Sequence, residues 1–341
     1  MANFNLLVPG TGGITLKDNT GKDIGWPILM RLRGAIHGLS SQSGDQLLEL
    51  ISMEHRPGQL APVKTSLRPG TSLSPGHVLR VAYNQVETGF NQFLYDWRAD
   101  LRHSAQQLKE FIVDRRPNNG KWNLIGHSQG GLLIILASKL FASRTEFSDH
   151  VATATLVAAP IAGTLNSAEA MLLGNDAGAR LAPVMRQAVR TWPAIYQMLP
   201  AWQSVLRADG SPVAATRQLN QPGGWPGLND IQDDLLVRTR QVQVDLQNPI
   251  NNMDGVDIRF YFANNRTTNT GISRPAAGAM QWNPVRTEKG DTLVPYRTTR
   301  LTNGGAQLAP NTTVFGRPCM QHAMILTDAT VSTQAKARMI P

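Results

Sequence analysis

Residues 122–131 read Trp-Asn-Leu-Ile-Gly-His-Ser-Gln-Gly-Gly, a strand-like apolar run that breaks into Gly-x-Ser-x-Gly and leads into an apolar, helix-like run at 132–140. This pattern predicts a tight strand-to-helix turn that lifts the hydroxyl of Ser128 clear of a sheet. The flanking glycines let the strand and the helix approach without a side-chain clash. Ser128 is therefore a candidate nucleophile.

A nucleophilic serine needs a general base, and the histidines narrow the choice. Of the seven in the chain, only His150 and His322 follow Ser128. Where this turn carries a serine nucleophile, the chain order is serine, then acid, then histidine. His150 comes too soon after the turn for a strand that bears an acid to intervene. The predicted base is therefore His322, which lies between a short strand predicted at 312–315 and a final helix.

The base needs an orienting carboxylate, and ten aspartates lie between Ser128 and His322. Asp291 is favoured because it occupies Gly-Asp-Thr-Leu-Val-Pro at 290–295, a turn that leaves an apolar segment. It precedes His322 by 31 residues, which leaves room for one strand and its connection. Its predicted role is to hold the imidazole in the correct tautomer. The alternative is an aspartate that only forms the turn, with Asp254 and Asp257 as fallback acids.

Acyl-transfer chemistry also needs backbone N–H groups aimed at the developing oxyanion. One is expected from Gln129, the residue after the nucleophile, and the other from a loop after an early strand. Residues 3–8 form a short apolar strand that runs into Pro-Gly-Thr-Gly-Gly at 9–13, and Thr11 is the candidate for the second amide. A glycine-rich loop also suits a phosphate, but no Gly-Lys-Ser/Thr follows here.

Five separated segments resemble the lecithin:cholesterol acyltransferase family of α/β-hydrolases, which includes lysosomal phospholipase A2-type enzymes and bacterial relatives. They lie at 7–13, 95–98, 125–131, 159–164 and 290–295, and a sixth segment at 194–200 is similar to a family segment in the cap. The resemblance implies the same site: a nucleophile at Ser128, an acid at Asp291, a base at His322, and oxyanion amides at Thr11 and Gln129. The cysteine-closed lid of the secreted animal members is absent.

The order of elements predicts an α/β-hydrolase fold with a mostly parallel central sheet and helices on both faces. Strand-like segments alternate with helix-like ones, at 3–8, 78–82, 92–96, 122–127, 153–159, 257–263 and 311–315. The long interval after 159 predicts an inserted helical cap at 161–254, with residues 1–160 and 255–341 forming the core. Aromatic and methionine residues in the cap either line an acyl-chain pocket or pack as ordinary core.

The motif Tyr-Asp-Trp-Arg at 95–98 ends one of these strands. An arginine and an aromatic residue at a strand end are in a position to touch a substrate. The favoured interpretation is structural: a hydrogen-bond network between Asp96 and Arg98 fixes the turn while Trp97 packs in the core.

The net charge of +9 predicts a partner or substrate of opposite sign. Basic residues are dispersed and carry no nucleic-acid fold signature, so peripheral contact with an anionic membrane surface is favoured over nucleic acid. A generally basic soluble protein is the alternative. One cysteine, Cys319, excludes an internal disulfide, and no histidine or cysteine pair has metal-ligand spacing, so no metal or cofactor is expected.

The N-terminus predicts no secretory signal, and no apolar run reaches the length of a spanning helix. A cytoplasmic location is expected, with leaderless export as a secreted effector left open. The predicted function is a serine esterase or lipase acting on acyl esters of lipids such as phospholipids. Three alternatives stay open: an acyltransferase that passes the acyl group to a lipid alcohol, a catalytically inactive hydrolase-fold binding module, and an amidase or thioesterase.

Overall fold

The computed structural model describes residues 4–24, 44–73, 83, 90–116, 120–174, 178–247, 253, 255–296, 313–317 and 321–337. The strands in these ranges are β1 Phe4–Val8, β2 Ile14–Lys17, β3 Asp23–Ile24, β4 Met53–Glu54, β5 Lys64–Thr65, β6 Arg68–Leu73, β7 Phe90–Gln92, β8 Trp122–His127, β9 Val151–Val157, β10 Val205–Leu206, β11 Asp257–Ala263, β12 Arg266–Ser273, β13 Pro284–Gly290 and β14 Thr313–Arg317. The helices are α1 Gly44–Ile51, α2 Leu101–Asp114, α3 Gln129–Ser138, α4 Arg144–His150, α5 Asn166–Leu173, α6 Gly178–Val189, α7 Pro193–Gln197, α8 Asp233–Gln247 and α9 Ala329–Ala337. Within these ranges, no helix combines the length and the apolar character needed to cross a membrane.

The central sheet orders its strands β14-β11-β9-β8-β1-β7, and every neighbouring pair is parallel. Parallel strands bring their carboxyl ends to one edge, where ligands bind in open α/β sheets. The loop after β1 and the turn after β8 therefore lie side by side at that edge. The fold is the α/β-hydrolase fold with a parallel central sheet, as predicted.

The central strand β8 and the helix α3 that follows it are buried because their sequence is an apolar run. Every residue of β8 is buried, which is typical of a strand covered on both faces. Helix α3 is buried along its whole length, so the helix that follows the turn is also interior. Gly130 permits this packing because a Cβ there would lie 2.0 Å from the carbonyl oxygen of Val8.

The segment between β9 and β11 holds helices α5 to α8 and the short strand β10. Many of its apolar residues belong to the same buried cluster as the sheet, among them Met171, Met185, Trp192, Tyr196, Met198 and Trp225. Strand β10 pairs with β12, so one small sheet joins residues from both sides of the boundary predicted at 254. The division into a core and a cap remains a prediction.

Most predicted strands of the central sheet are confirmed with small shifts of their ends. The segment expected at 92–96 is a strand only at Phe90–Gln92, and the strand expected at 78–82 lies outside the described residues. The antiparallel pair β12 and β13 was not predicted. Strand β13 is mostly exposed, so the expectation that an apolar segment leads into Asp291 was wrong. Its polar alternation belongs to a hairpin with one solvent-facing side.

Candidate active site

Ser128 occupies a strained turn between β8 and α3. Its backbone angles are φ 54° and ψ −123°, a region that non-glycine residues rarely adopt and that costs about 1–3 kcal/mol. Its N–H donates to the carbonyl oxygen of Val157 at 2.8 Å, and its own carbonyl accepts from Gly131 at 3.0 Å. Gly10 packs against it, since a Cβ at Gly10 would lie 2.8 Å from the Cβ of Ser128. The surrounding structure therefore holds the serine in place.

His322 begins the 3₁₀-helix His322–Thr327 after β14 and is almost fully buried. Its Nε2 lies 2.8 Å from the Oγ of Ser128, and its Nδ1 lies 2.8 Å from Oδ2 of Asp291. A carboxylate only accepts hydrogen bonds, so the Nδ1–H donates to Asp291. Nε2 is then the acceptor for the Ser128 hydroxyl. The sequence placed these three residues far apart, and the fold brings them into one chain of hydrogen bonds.

Asp291 follows β13 and is only 1% exposed. Its Oδ1 accepts from the backbone N–H groups of Leu293 and Val294, at 3.0 and 2.7 Å. Its carbonyl oxygen accepts from the N–H of His322 at 2.9 Å. The carboxylate is thus oriented by its own turn, and its second oxygen is directed at the imidazole.

The fallback acids do not reach this position. Asp257 begins β11, four residues before Tyr261, which is level with Val157 at the carboxyl edge of the sheet. Four residues of strand span about 13 Å, so Asp257 lies toward the opposite edge. Asp254 lies outside the described residues.

The two candidate oxyanion residues contact each other. The Thr11 hydroxyl donates to Oε1 of Gln129 at 2.5 Å, and Nε2 of Gln129 donates to the carbonyl oxygen of Trp97 at 3.0 Å. The buried Gln129 side chain thereby ties the loop after β1 to the start of α3. Among the described residues, neither the backbone N–H of Thr11 nor that of Gln129 donates to a backbone carbonyl in a turn or loop.

The structural interpretation of the motif at 95–98 is confirmed. Asp96 accepts from the backbone N–H and the guanidinium of Arg98, and Trp97 is 1% exposed. The guanidinium also donates to the carbonyl oxygens of Ile51 and Leu67. Arg98 is completely buried, so it holds the turn and does not face a substrate.

Two residues beside the site were not singled out from the sequence, Tyr83 and His127. The Tyr83 hydroxyl lies 3.0 Å from Nδ1 of His127 and accepts from the N–H of Gly10 at 3.0 Å. Nε2 of His127 lies 3.2 Å from the carbonyl oxygen of His322. Burial, together with the neighbouring His322, lowers the pKa of His127 to about 3, and burial raises the pKa of Tyr83. Position 127 within the Gly-x-Ser-x-Gly motif was the one available signal for His127.

The lowered pKa of His127 predicts a loss of stability in acid. In the unfolded chain its pKa returns to about 6.5, so the unfolded state binds the proton first as the pH falls. Between pH 7 and pH 5 we expect His127 to reduce the free energy of unfolding by about 2 kcal/mol. Burial also lowers the pKa of His55 and His150, which act in the same direction.

Urea unfolding of the wild type and of His127→Gln across this pH range isolates the contribution of His127. The other histidines are common to both proteins, so the difference between the two free energies should shrink as the pH falls. Parallel curves would show that His127 has the same pKa in the folded and the unfolded protein, so that burial does not lower it.

No group of three or more histidine, cysteine, aspartate or glutamate side chains able to hold a metal ion occurs within the described ranges.

The chain is similar in fold to several solved structures. The structure of the Tle4–Tli4 complex matches with a TM-score of 0.59 at 12% identity, over 99% of this chain and 98% of that chain. Bacillus licheniformis lipase BlEst2 in mature form matches with a TM-score of 0.39 at 14% identity, over 76% and 86%. Paleococcus ferrophilus monoacylglycerol lipase matches with a TM-score of 0.38 at 12% identity, over 78% and 88%.

No curated protein sequence matches the chain. A profile of the lecithin:cholesterol acyltransferase family matches residues 80–300, well over half of the 341 residues. That range includes the strained Ser128 turn and the Asp291 turn. The chain belongs to the lecithin:cholesterol acyltransferase family.

Proposed function

We propose that this chain is a serine hydrolase that cleaves carboxylic acyl esters of lipids. The observation that carries the proposal is His322, whose two ring nitrogens lie 2.8 Å from Ser128 Oγ and 2.8 Å from Asp291 Oδ2. This is the arrangement of nucleophile, base and orienting acid that activates a serine. The strain at Ser128 supports a functional role, because strained backbone concentrates at active sites.

In the proposed reaction, Ser128 Oγ attacks the ester carbonyl while Nε2 of His322 takes its proton. Asp291 stabilises the imidazolium and does not take the proton. The backbone N–H groups of Thr11 and Gln129 hold the oxyanion. The imidazolium then protonates the leaving alcohol, which leaves the acyl group on Ser128. Water then attacks this acyl-enzyme while Nε2 of His322 takes its proton. The imidazolium returns that proton to Oγ of Ser128 as the acyl C–O bond breaks, which releases the carboxylic acid and restores the serine.

Lipid esters are the favoured substrate class for two reasons. Membership of the lecithin:cholesterol acyltransferase family points to acyl esters of lipids. The net charge of +9 would concentrate the protein on an anionic membrane surface, where such substrates reside. Phospholipids in an anionic bilayer therefore meet both conditions.

The proposal is tested by labelling the purified wild type with a fluorophosphonate and by measuring fatty acid release from phospholipid vesicles. We expect rapid labelling, and release that is faster from vesicles containing phosphatidylglycerol than from pure phosphatidylcholine. Labelling without release from any vesicle, but with cleavage of short soluble esters, would refute the lipid assignment and keep the serine hydrolase. Absence of labelling would refute the enzyme and favour a binding module.

The same assay separates hydrolysis from acyl transfer, the reaction named in the description of the family. A long-chain alcohol added to the vesicles competes with water for the acyl-enzyme. For a hydrolase we expect free fatty acid to remain the main product. Predominant formation of the new ester would identify an acyltransferase that uses the same serine.

A further inference from the structure

We infer that Tyr83 and His127 are positioning residues that fix the backbone of the base His322 relative to the loop that carries Thr11. The inference rests on the proposed function and adds two residues to its site. Neither side chain touches the reacting atoms, so both act through the groups that do. The structure supports the inference with an unbroken chain of hydrogen bonds between the loop and the base.

The chain of hydrogen bonds starts in the loop after β1 and ends at the base. The N–H of Gly10 donates to the Tyr83 hydroxyl at 3.0 Å, and that hydroxyl lies 3.0 Å from Nδ1 of His127. Nε2 of His127 lies 3.2 Å from the carbonyl oxygen of His322. Tyr83 is completely buried and His127 is 1% exposed, so water does not replace these contacts.

The direction of each hydrogen bond follows from the carbonyl oxygen at one end of the series. A carbonyl oxygen only accepts, so Nε2 of His127 carries the proton and donates to His322. A neutral imidazole then has an acceptor at Nδ1, and the Tyr83 O–H donates to it. The Tyr83 oxygen is free to accept from Gly10. Every polar group in this series of hydrogen bonds has a partner only while His127 is neutral. The lowered pKa of His127 keeps it neutral at physiological pH.

The chain completes the restraint of His322. Asp291 holds the imidazole through Nδ1 and holds the His322 N–H through its own carbonyl. Nε2 of His322 faces Ser128, and the carbonyl oxygen of His322 accepts from His127. The other end of the chain fixes Gly10, which packs against Ser128 and precedes Thr11. Base, nucleophile and oxyanion loop thus share one buried support.

Removing the Tyr83 hydroxyl tests this role. In Tyr83→Phe, His127 loses its donor and Gly10 loses its acceptor, while the ring remains to fill the core. Small displacements in an active site reduce rates by up to about 100-fold. We expect kcat for p-nitrophenyl butyrate, and the rate of fluorophosphonate labelling, to fall about tenfold per folded molecule, with KM unchanged.

Tyr196→Phe is the matched control. Tyr196 is also completely buried, and its hydroxyl donates to the carbonyl oxygen of Arg190 and accepts from the N–H of Gln232. Both variants lose one buried hydroxyl with two partners, so we expect similar decreases in melting temperature. Only Tyr83→Phe should lose kcat. Equal kcat in the two variants would overturn the inference.

Two substitutions of His127 provide a second test. This test decides the question in case the Tyr83→Phe variant does not fold. Glutamine places a donor near the position of Nε2, whereas leucine provides none. We expect His127→Leu to lose about 100-fold in kcat and His127→Gln to recover part of that loss. The double variant Tyr83→Phe/His127→Leu should be no slower than His127→Leu, because both changes break one chain.

Equal rates for the glutamine and leucine variants would overturn the inference. Failure of the proposed function has a different signature, since the wild type itself would then show neither labelling nor ester cleavage. That result would refute both the positioning role and the proposed enzymatic activity.

Discussion

Ser128→Ala will reduce ester hydrolysis by about 10⁶-fold and abolish labelling by a fluorophosphonate. The hydroxyl of Ser128 lies 2.8 Å from Nε2 of His322, and in the proposed mechanism this hydroxyl attacks the ester carbonyl. The residual rate would come from substrate binding and oxyanion stabilisation alone. Steady-state hydrolysis of p-nitrophenyl butyrate, with labelling followed on a gel, measures both effects.

Ser138→Ala is the matched control for this substitution. Ser138 is a buried serine at the end of α3, and its hydroxyl donates to the carbonyl oxygen of Ile135 within the helix. It should lose a little stability and keep full activity. Labelling that persists in Ser128→Ala would place the nucleophile elsewhere and contradict the proposal.

Asp291→Asn will reduce kcat by about 10⁴-fold with little change in the fold. The amide oxygen of the asparagine can accept the hydrogen bonds from Leu293 and Val294 that Oδ1 accepts now. Its NH₂ group then points at Nδ1 of His322 and donates to it. The imidazole proton is forced onto Nε2, so the base can no longer accept the proton of Ser128.

Asp257→Asn separates this effect from a general loss of charge. Asp257 is one of the two fallback acids predicted from the sequence, and it lies toward the far edge of the sheet, paired with Arg259 at 3.8 Å. We expect Asp257→Asn to keep the kcat of the wild type. We expect Asp291→Asn to keep the melting temperature of the wild type. A small loss in Asp291→Asn, below about tenfold, would mean that the aspartate only shapes its turn.

The sequence carried enough information for the fold and for the candidate triad because both depend on local patterns. The strand-turn-helix at 122–131 lies in consecutive residues. The serine, acid, histidine order left two histidines, and His150 follows the turn too closely to be the base. Asp291 could be preferred from its turn, whose backbone N–H groups do orient the carboxylate. The core strands could be recognised because strands buried on both faces are continuously apolar.

The hairpin β12–β13 was not predicted because, unlike the core strands, it is not continuously apolar. Strand β13 is mostly polar and exposed, and the first half of β12 is polar. Neither strand shows the apolar alternation that indicates a strand in a sequence, and polar segments without periodicity are typical of loops. Strand β13, which precedes Asp291, is therefore set by its pairing with β12, a tertiary contact.

Local sequence patterns could not assign Tyr83 and His127 to the site. Nothing in the chain near Tyr83 marks it as part of the site, because its partners Gly10 and His127 are 73 and 44 residues away. The local sequence specified a serine turn, an acid turn and a late histidine. Only the packed fold decided which buried groups hold them together, because a hydrogen bond across the sheet edge depends on distances that no local pattern encodes.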